Sequence, residues 1–592
     1  MDKIKSNEKL QSKVIWNMFF ILIFTGITFL ITFQMFKTGK IIVDNDFAFH
    51  SSRVQEIYQN IRSGHFFTFI ATHTFHGSGV ANFLFYPDVF LYPWAILLLI
   101  FKPVAAFYIW YALVVDVTFI IAFYSSKVIL KNNVTSFVFA CLYTIFPYHF
   151  FVSYGVFGEF LALMFVPMFI FGGYQILFQD GKGWKLTAIA FSLVLYCHII
   201  SAILCLFNVI VLFIVRLVIK RNVTKKIWFS ILKSLGLAGL MSLVILMPFF
   251  TDYFSSKVFA TSSGINILFT QNISDFVLNS FTMQNLQGLS VFLIIILFLG
   301  FINYKNKLAF VSWILGVLFV ILSTKLAPWS LIGLTLLKNI QFPYRFVPYA
   351  AIYLSLSFVL FFEKLFYLYT SKKALNICLA VLSISVITIT YYRSFLKVGY
   401  LQVVSSKVYE LKQFNGEITA LGVPSTVTDK TYGRIFKYGV TYGEFDYYTK
   451  LSHGNYNYTY FNDGLNHITT RSIVKKYTYV NDKRRSLEIT PKNNYFLINA
   501  RLNKKSEIDL PIIAYKHTYV TVNGKKISYQ ISDRGTVEIT GSKGNNRIIV
   551  GYRPSSLYFV GLITSAVSWM VLIIQSIKEI VTRRKNAKMG KV

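Results

Sequence analysis

The chain has 592 residues, of which 55% are hydrophobic and only 14% are charged, and its formal net charge is +34. A soluble globular protein carries roughly a quarter charged residues, so this composition predicts a polytopic membrane protein. It excludes a soluble enzyme, a disordered chain and a fibrous repeat protein.

The chain opens with a segment that contains four lysines within its first 13 residues, followed by an apolar run over residues 14–36. A run of this length can cross a bilayer, and the lysines before it predict a cytoplasmic start. The run is too long for the core of a signal peptide and lacks a small-residue cleavage site, so we expect it to be retained.

Further apolar runs lie at 104–124, 134–151, 160–178, 186–198, 199–219, 227–250, 287–303, 308–323, 345–362, 374–392 and 556–577. With the first run they predict about twelve spans. The short gaps rich in Lys and Arg alternate as the positive-inside rule requires, which places both termini in the cytoplasm.

Residues 84–101 are also apolar enough to cross the bilayer. If they crossed, every later basic gap would face outward. Their prolines and their Tyr and Trp residues suit a membrane interface, so we expect a juxtamembrane or re-entrant element on the outer side.

Residues 393–555 are rich in Tyr, Thr, Asn and Lys and show period-2 patterning, with turn signals at Asn523-Gly524 and Asp533-Arg534-Gly535. This pattern predicts an antiparallel β module of sandwich or jelly-roll type. The topology places the module outside the cell. Its 25 basic and 12 acidic side chains leave a balance of +13, which would attract an anionic cell-wall polymer such as teichoic acid rather than nucleic acid.

The predicted fold class is therefore a polytopic α-helical membrane protein with an extracytoplasmic β domain before its last span. Its predicted parts are a transmembrane domain over 1–392 with a large first outer loop at 37–103, the β domain at 393–555, a last span at 556–577 and a basic cytoplasmic tail at 578–592. All four cysteines lie in apolar stretches, so no disulfide framework is expected, which fits a bacterial surface.

Several ionisable residues fall at the predicted outward ends of spans. If the segment after the first span is helical, Asp46, His50 and Arg53 stand at i, i+4 and i+7 and share one face. A carboxylate placed there could act as a general base on a hydroxyl group, and Asp44 is the alternative base. The competing interpretation is an amphipathic interfacial helix whose charges face water.

Glu159 precedes an apolar run, where an ionisable group is costly and therefore a functional candidate, although a carboxylate favoured by a helix N-terminus is an equal alternative. His198 lies at the turn of a tight helix pair, where a hydrogen-bonded packing role is the more common one. Arg345 follows Gln341-Phe342-Pro343-Tyr344, and such an arginine suits a lipid-linked phosphate, with snorkelling as the alternative.

Other polar residues carry weaker signals. Asp116 lies alone in an apolar run, without the chain of acids expected of an ion-coupled carrier. His65, His73 and His76 match no tight metal template and are expected to face solvent. The sequence contains no Walker loop, dinucleotide fingerprint or G-x-S-x-G elbow, so ATP-driven chemistry within the chain is not expected.

These residues, taken in order, resemble the bacterial YfhO-like membrane proteins and their relatives labelled 6-pyruvoyl-tetrahydropterin synthase-related, within the GT-C glycosyltransferase class. The motifs are Asp46 with His50 and Arg53, Asn82-Phe83-Leu84-Phe85-Tyr86-Pro87, Glu159 with Pro167, His198-Ile199-Ile200-Ser201, Gln341-Phe342-Pro343-Tyr344-Arg345, Leu510-Pro511, Val522-Asn523-Gly524-Lys525 and Tyr552-Arg553-Pro554. No pterin chemistry is implied. The chain departs from the family's double proline at Pro87-Asp88, which adds a further acid near the site.

The resemblance implies a GT-C-like transmembrane domain, a catalytic acid after the first span and a sugar donor attached to polyprenyl phosphate. Asp46 would be the base, with Asp44 in reserve. The substrate-binding candidates are His50, Arg53, Glu159, His198, Gln341, Tyr344 and Arg345. No cofactor is certain, and a divalent cation is an additional candidate for stabilising the leaving phosphate.

The predicted function is therefore a multi-pass bacterial plasma-membrane glycosyltransferase with an extracytoplasmic glycan or teichoic acid acceptor and an inverting mechanism. Two alternatives stay open. One is a flippase or exporter of lipid-linked saccharides, which should place polar groups near the midplane of several spans. The other is a non-enzymatic scaffold that binds wall polymer, which would leave the boundary acid and arginine unexplained.

Overall fold

The computed structural model describes residues 2–43, 46–259, 265–282, 286–369, 419–420, 425–440, 443–454 and 468–589, together with residues 381 and 385. The helices are Asp2–Phe36, Phe47–Arg62, Asn82–Phe85, Tyr92–Leu97, Pro103–Leu130, Asn133–Thr144, Pro147–Gly155, Phe157–Leu163, Val166–Phe178, Trp184–Leu195, Ile199–Lys220, Lys225–Met241, Leu243–Pro248, Ile273–Thr282, Val291–Leu299, Lys307–Ser323, Trp329–Ile332, Val347–Tyr369, Arg434–Tyr438, Lys450–His453, Ile468–Val474 and Ser556–Met589. Short 3-10 turns and one π-helical turn, Phe249–Tyr253, join some of them.

The helical part agrees with a multi-pass membrane protein. Five helices are long and apolar enough to cross a bilayer, or up to eight if each of three bent helix pairs counts as one span. Three further apolar helices, Trp184–Leu195, Val291–Lys305 and Lys307–Ser323, are shorter. Each predicted run coincides with a helix or bent pair, except 374–392, of which the structure describes only residues 381 and 385. The count of twelve spans stays a prediction.

Local sequence explains where these helices begin and bend. Asn132, Thr224 and Asn306 each accept a hydrogen bond from a backbone N–H of the first turn, which satisfies an otherwise unpaired donor. Pro147 and Pro167 stand in the first turns of the second helices of two bent pairs, which bend by 49° and 45°. Proline lacks an N–H and disfavours a continuous helix before it, so these positions break the spans.

The apolar stretch 84–101 is divided into short helical segments rather than one long helix.

Glu56, on the helix Phe47–Arg62, organises the first outer loop. The buried Glu56 carboxylate accepts hydrogen bonds from the backbone N–H groups of Thr72, His73 and Thr74. Burial raises the pKa of Glu56, but these bonds and His73 outweigh burial and leave it below its usual value.

Two five-stranded antiparallel sheets make up the C-terminal region. One has the strand order Lys525–Ile527, Thr518–Val522, Gly544–Tyr552, Tyr495–Leu502, Glu488–Lys492; the other has the order Gln530–Ile531, Thr536–Gly541, Ser506–Ile513, Thr478–Val480, Lys483–Arg485. Two predicted hairpin turns are confirmed: Val522 pairs with Lys525 across Asn523-Gly524, and Ile531 pairs with Val537 across the second turn. The sandwich or jelly-roll type stays a prediction.

The β-rich region contacts both the first outer loop and the helical part. Strand Ile41–Val43, directly after the first span, pairs with Ser425–Val427, and a further two-stranded pair joins Thr419–Ala420 to Gly439–Val440. Asp252, in the π-helical turn, accepts hydrogen bonds from His517 Nδ1 at 2.6 Å and from the Tyr552 hydroxyl at 2.7 Å. These contacts place the β-rich region at the same end of the helical part as the first outer loop.

Candidate functional site

The helix Phe47–Arg62 places three of the predicted residues. Asp46 lies at its N-terminus and is half-buried, and its backbone carbonyl accepts the His50 N–H at 3.0 Å. His50 and Arg53 are 1% and 0% exposed. The helix is therefore present as predicted, but the interpretation in which its charges face water is wrong, because this face points into the protein.

Arg53 has a defined structural task. Its Nη2 donates hydrogen bonds to the backbone carbonyls of Tyr86 at 2.5 Å and Pro87 at 3.0 Å, and its guanidinium lies 4.9 Å from the centre of the Tyr86 ring. Its Nε and Nη1 have no hydrogen-bond partner among the described residues. A buried charge with unused donors is costly, so this arginine both holds the loop and leaves two donors for a ligand or water.

Asp88 lies close to this arginine, on the loop that Arg53 holds. Burial raises the pKa of the Asp88 carboxyl to about 6, and the charge of Arg53 limits the rise. The acid that distinguishes this chain at Pro87-Asp88 therefore belongs to the same neighbourhood as Arg53.

His50 is a neutral group in this environment. Burial lowers its pKa well below the usual value, and the charge of Arg53 and the nearby His198 lower it further. Neither ring nitrogen has a hydrogen-bond partner among the described residues, and the ring lies 5.3 Å from the Tyr86 ring and 5.4 Å from the Phe157 ring. A neutral imidazole can donate and accept hydrogen bonds but cannot attract a phosphate by charge.

Glu159 and Arg345 form a buried ion pair. Arg345 Nε lies 3.4 Å from Glu159 Oε2, and the Tyr148 hydroxyl donates to Glu159 Oε1 at 2.6 Å. Arg345 Nη1 also donates to the Ile340 carbonyl at 2.9 Å and to Gln341 Oε1 at 3.1 Å. Three partners fix the guanidinium, so the snorkelling interpretation does not describe this side chain.

His198 caps the helix Ile199–Lys220. Its Nδ1 lies 2.9 Å from the Ser201 hydroxyl and accepts the Ser201 N–H at 3.4 Å. Burial lowers its pKa well below the usual value, with the charge of Arg345 adding to the effect. His198 therefore has the packing role favoured from sequence, and the charge of Arg345 also acts on its ring.

Gly158 brings Tyr86 and His198 against the helix that carries Glu159. A Cβ atom at Gly158 would overlap the Tyr86 hydroxyl and would lie 3.0 Å from His198 Cδ2. Only glycine fits this contact without moving one of the two rings. The outer-loop tyrosine therefore reaches the Glu159 and His198 region directly.

The Tyr86 hydroxyl is the common neighbour of these groups. Burial raises its pKa, the Asp46 carboxylate raises it further, and Arg53 and Arg345 oppose the rise. The Tyr86 hydroxyl also lies against the Gly158 backbone, next to Glu159, so this tyrosine connects His50 and Arg53 with the Glu159 and Arg345 pair. Tyr344 completes this side, with its ring 5.0 Å from Phe342 and 6.1 Å from Tyr148.

The structure thus brings together most of the residues predicted from sequence. These are Asp46, His50, Arg53, Glu159, His198, Gln341, Tyr344 and Arg345. Asp44 lies outside the described residues. Asp116 accepts a hydrogen bond from Thr25 at 3.2 Å, in contact with the first helix.

Sequence reasoning missed three contributors. Tyr86 was expected as an interfacial residue and belonged to a motif of the resemblance, but it was given no role in the site. Tyr148 carried no signal because an aromatic residue in an apolar run is expected to pack in the core. Asn82 is fully buried with both side-chain amide atoms unpartnered among the described residues. Its position in a motif of the resemblance was the signal that could have identified it.

The expectation that three outer-loop histidines face solvent is wrong for two of them. His76 is buried, and its Nδ1 lies 2.8 Å from Glu444 Oε1. His73 lies 3.1 Å from Glu56, whereas His65 is exposed. Among the described residues, no group of three or more His, Cys, Asp and Glu side chains could hold a metal ion.

Comparison with known proteins adds little. No protein-family model matches the sequence, and no curated protein matches it. Among solved structures, the chain is similar to the arabinofuranosyltransferase AftD from Mycobacteria, with 11% sequence identity and a TM-score of 0.44 over 90% of this chain and 40% of that one. This chain thus spans less than half the length of that protein, and similarity at this level transfers neither activity nor substrate.

Proposed function

We propose that this protein is an integral membrane glycosyltransferase that moves a sugar from a polyprenyl-phosphate donor to an extracytoplasmic cell-envelope acceptor. The observation that carries the proposal is the burial of the His50 imidazole and the Arg53 guanidinium against the Tyr86 ring, whose hydroxyl reaches Gly158 beside the buried Glu159 and Arg345 pair. A donor already attached to a lipid phosphate needs no nucleotide-binding fold.

In the proposed reaction, Asp46 takes the proton from an acceptor hydroxyl. The acceptor oxygen attacks the anomeric carbon, and the bond between that carbon and the phosphate oxygen breaks. The electron pair leaves with the lipid phosphate, so the configuration at the anomeric carbon inverts. The positive charges of Arg345 and Arg53 favour the charge that develops on the leaving phosphate.

Glu159 acts in this scheme as a positioning residue. It is hydrogen-bonded by Tyr148 and pairs with Arg345, so it aims the guanidinium rather than reacting. His50 is neutral, so its proposed role is a hydrogen bond to a sugar hydroxyl. Gln341 accepts a hydrogen bond from Arg345, and the Tyr344 ring packs against the Phe151 ring.

Two features weigh against the alternative functions. A carrier is expected to place its polar groups near the midplane of several spans, whereas Glu159 lies in the first turn of its helix and Arg345 lies in the 3-10 turn that precedes helix Val347–Tyr369. A scaffold would have no use for a buried arginine held by an acid, since such a pair is costly to maintain. Placement in a bacterial plasma membrane, with both termini cytoplasmic and the β-rich region outside, belongs to the same proposal.

The test is transfer in membranes from cells that lack the gene and express one variant at a time. A panel of radiolabelled polyprenyl-phosphate sugars is supplied, with the glycan that disappears on deletion as acceptor. Asp46→Asn is expected to reduce transfer by about 10²- to 10⁴-fold, which is the usual contribution of a general base. Asp116→Asn, which removes an acid from another part of the membrane domain, is the matched control and should leave transfer unchanged.

If Asp46→Asn at normal abundance transfers sugar like the unmodified protein, the proposed mechanism is wrong. If no glycan changes on deletion and no donor in the panel is consumed, the transferase function itself is wrong.

A further inference from the structure

The first five-stranded sheet has one buried face and one open face. In strand Tyr495–Leu502, Phe496, Ile498 and Ala500 are buried, while the alternate residues Asn499 and Arg501 are exposed. Successive side chains of a strand point to opposite faces, so the register assigns every neighbour in the sheet to one face or the other.

Two tyrosines and a glycine form one row across the open face. Tyr519 pairs with Gly551, and Gly551 pairs with Tyr495 on the next strand. A Cβ atom at Gly551 would lie 2.7 Å from Tyr495 Cβ and 2.7 Å from Tyr519 Cζ. The Tyr519 ring therefore lies across the backbone of Gly551, where no side chain lifts it away, and both tyrosines are half-buried.

The rest of this face is basic. Lys492 pairs with Tyr495 at the end of the tyrosine row, Lys526 pairs with Thr521, and Arg547 pairs with Asn499. These three cations and Arg501 are all exposed. Glu488, opposite Asn499, is the one acidic residue among the paired positions of the face.

We propose that this open face binds an anionic polysaccharide. The flat tyrosine surface offers an apolar face with hydroxyl groups at its edges, which suits the apolar side and the hydroxyls of a sugar ring. The surrounding cations suit carboxylate or phosphate groups on the same polymer. This binding surface is separate from the Asp46 and Arg345 cluster and does not depend on any transfer activity.

The properties of the face favour a glycan over an anionic membrane surface. A sheet that inserts its side chains into lipid should expose large apolar residues, whereas Leu497 and Ile549 on this face are only half-exposed. The Tyr519 ring lies across the backbone of Gly551 rather than projecting from the sheet. Binding to vesicles is therefore kept as an outcome that would overturn the proposal.

The experiment uses the full chain in nanodiscs of neutral lipid and measures binding of fluorescent polygalacturonate, with size-matched dextran as the neutral probe. Polygalacturonate is expected to bind at least about tenfold more tightly than dextran and to weaken with added salt. Poly(glycerol phosphate) serves as the phosphate arm and distinguishes a preference for phosphate from one for carboxylate.

Two double variants locate the site. Tyr495→Ala with Tyr519→Ala, and Lys492→Ala with Arg547→Ala, should each weaken polygalacturonate binding by about tenfold, the loss typical of a few central contacts. Tyr519→Phe keeps the ring but removes its hydroxyl, so it should weaken binding by less than the double tyrosine variant does. Lys504→Ala with Lys505→Ala removes the same charge at the exposed turn after residue 502 and should change affinity by less than about twofold.

The proposal is overturned if the lysine control weakens binding as much as the variants on the face, since the interaction would then be general charge attraction. Equal binding of dextran, or tighter binding to vesicles of anionic lipid than to either polymer, also overturns it. An unchanged thermal unfolding temperature in the tyrosine double variant separates loss of the site from loss of the fold. Gly551→Ala must displace the Tyr519 ring, so it provides a second test of the site and should also weaken polygalacturonate binding.

Discussion

Arg345 Nε lies 3.4 Å from Glu159 Oε2, and both side chains are buried. The two residues are far apart in sequence: Glu159 belongs to the first turn of helix Phe157–Leu163, and Arg345 belongs to the 3-10 turn before helix Val347–Tyr369. Desolvating two charges is costly, and removing one partner leaves the other uncompensated, which typically costs about 3–5 kcal/mol. The pair therefore contributes both to the stability of the protein and to the proposed sugar transfer. Variants of the two residues can separate these contributions.

Arg345→Met is expected to destabilise the protein more than the double variant Glu159→Gln with Arg345→Met. The single variant leaves a buried carboxylate without its cation, whereas the double variant removes both charges. Thermal unfolding in detergent measures the difference. Transfer should stay low in both, because the guanidinium that stabilises the leaving phosphate is absent in both, with a loss of about 10²- to 10³-fold.

Recovery of transfer in the double variant would contradict this role for Arg345. The pair would then serve only to hold the helices together.

Glu56→Gln should destabilise the first outer loop. The carboxylate accepts three backbone N–H groups and two threonine hydroxyls, and a neutral amide offers one acceptor oxygen in their place. Each unsatisfied buried donor costs about 1–3 kcal/mol. Limited proteolysis of residues 64–80 and the unfolding temperature measure the effect, with Glu488→Gln, an exposed carboxyl on the β sheet, as the control.

The same residue gives a dependence on pH. Its folded-state pKa lies below its unfolded value, so Glu56 contributes stability above the unfolded pKa that is lost as pH falls through the folded pKa. The acid-induced fall in unfolding temperature should therefore be shallower in Glu56→Gln than in the unmodified protein. Parallel curves would show that this carboxylate does not control the acid limb.

Much of the fold is predictable from the sequence, because hydropathy and turn chemistry are local. The apolar run 199–219 corresponds to helix Ile199–Lys220, and Asn523-Gly524 forms the predicted hairpin turn, with both residues at positive φ. Such signals need no knowledge of distant residues.

The candidate site is only partly predictable, because spacing groups residues on a helix face but does not say what covers that face. His50 and Arg53 are buried by the loop at Tyr86 and by Phe157, and neither contact has a signal in the local pattern. His76 finds its partner Glu444 on a segment 368 residues away. The charge state of His50 likewise depends on burial, which the sequence does not state.

Asp88→Asn should flatten the pH dependence of stability in the mildly acidic range. The folded-state pKa of Asp88 is raised to about 6 by burial, so its contribution to stability is fully present below its unfolded pKa and is lost as pH rises through about 6. The unfolding temperature of the unmodified protein should therefore fall more between about pH 4 and pH 6 than that of the variant. Equal slopes in the two proteins would mean that Asp88 is not protonated in the folded state over this range.

Gly158→Ala should reduce transfer while the protein still folds. The added methyl group overlaps the Tyr86 hydroxyl and crowds His198, so one ring must move, and the contacts of Tyr86 with His50 and Arg53 change with it. Misplacing a reacting group by about 1 Å can cost about 100-fold in rate. The control is Gly236→Ala in helix Lys225–Met241, where a Cβ atom meets nothing within 4 Å and should slightly stabilise the helix. Gly158 is not itself reactive, so the loss should depend on the Tyr86 hydroxyl. Adding Tyr86→Phe to Gly158→Ala removes that hydroxyl and should restore part of the lost transfer. If transfer is not restored, the added methyl group acts on another neighbour.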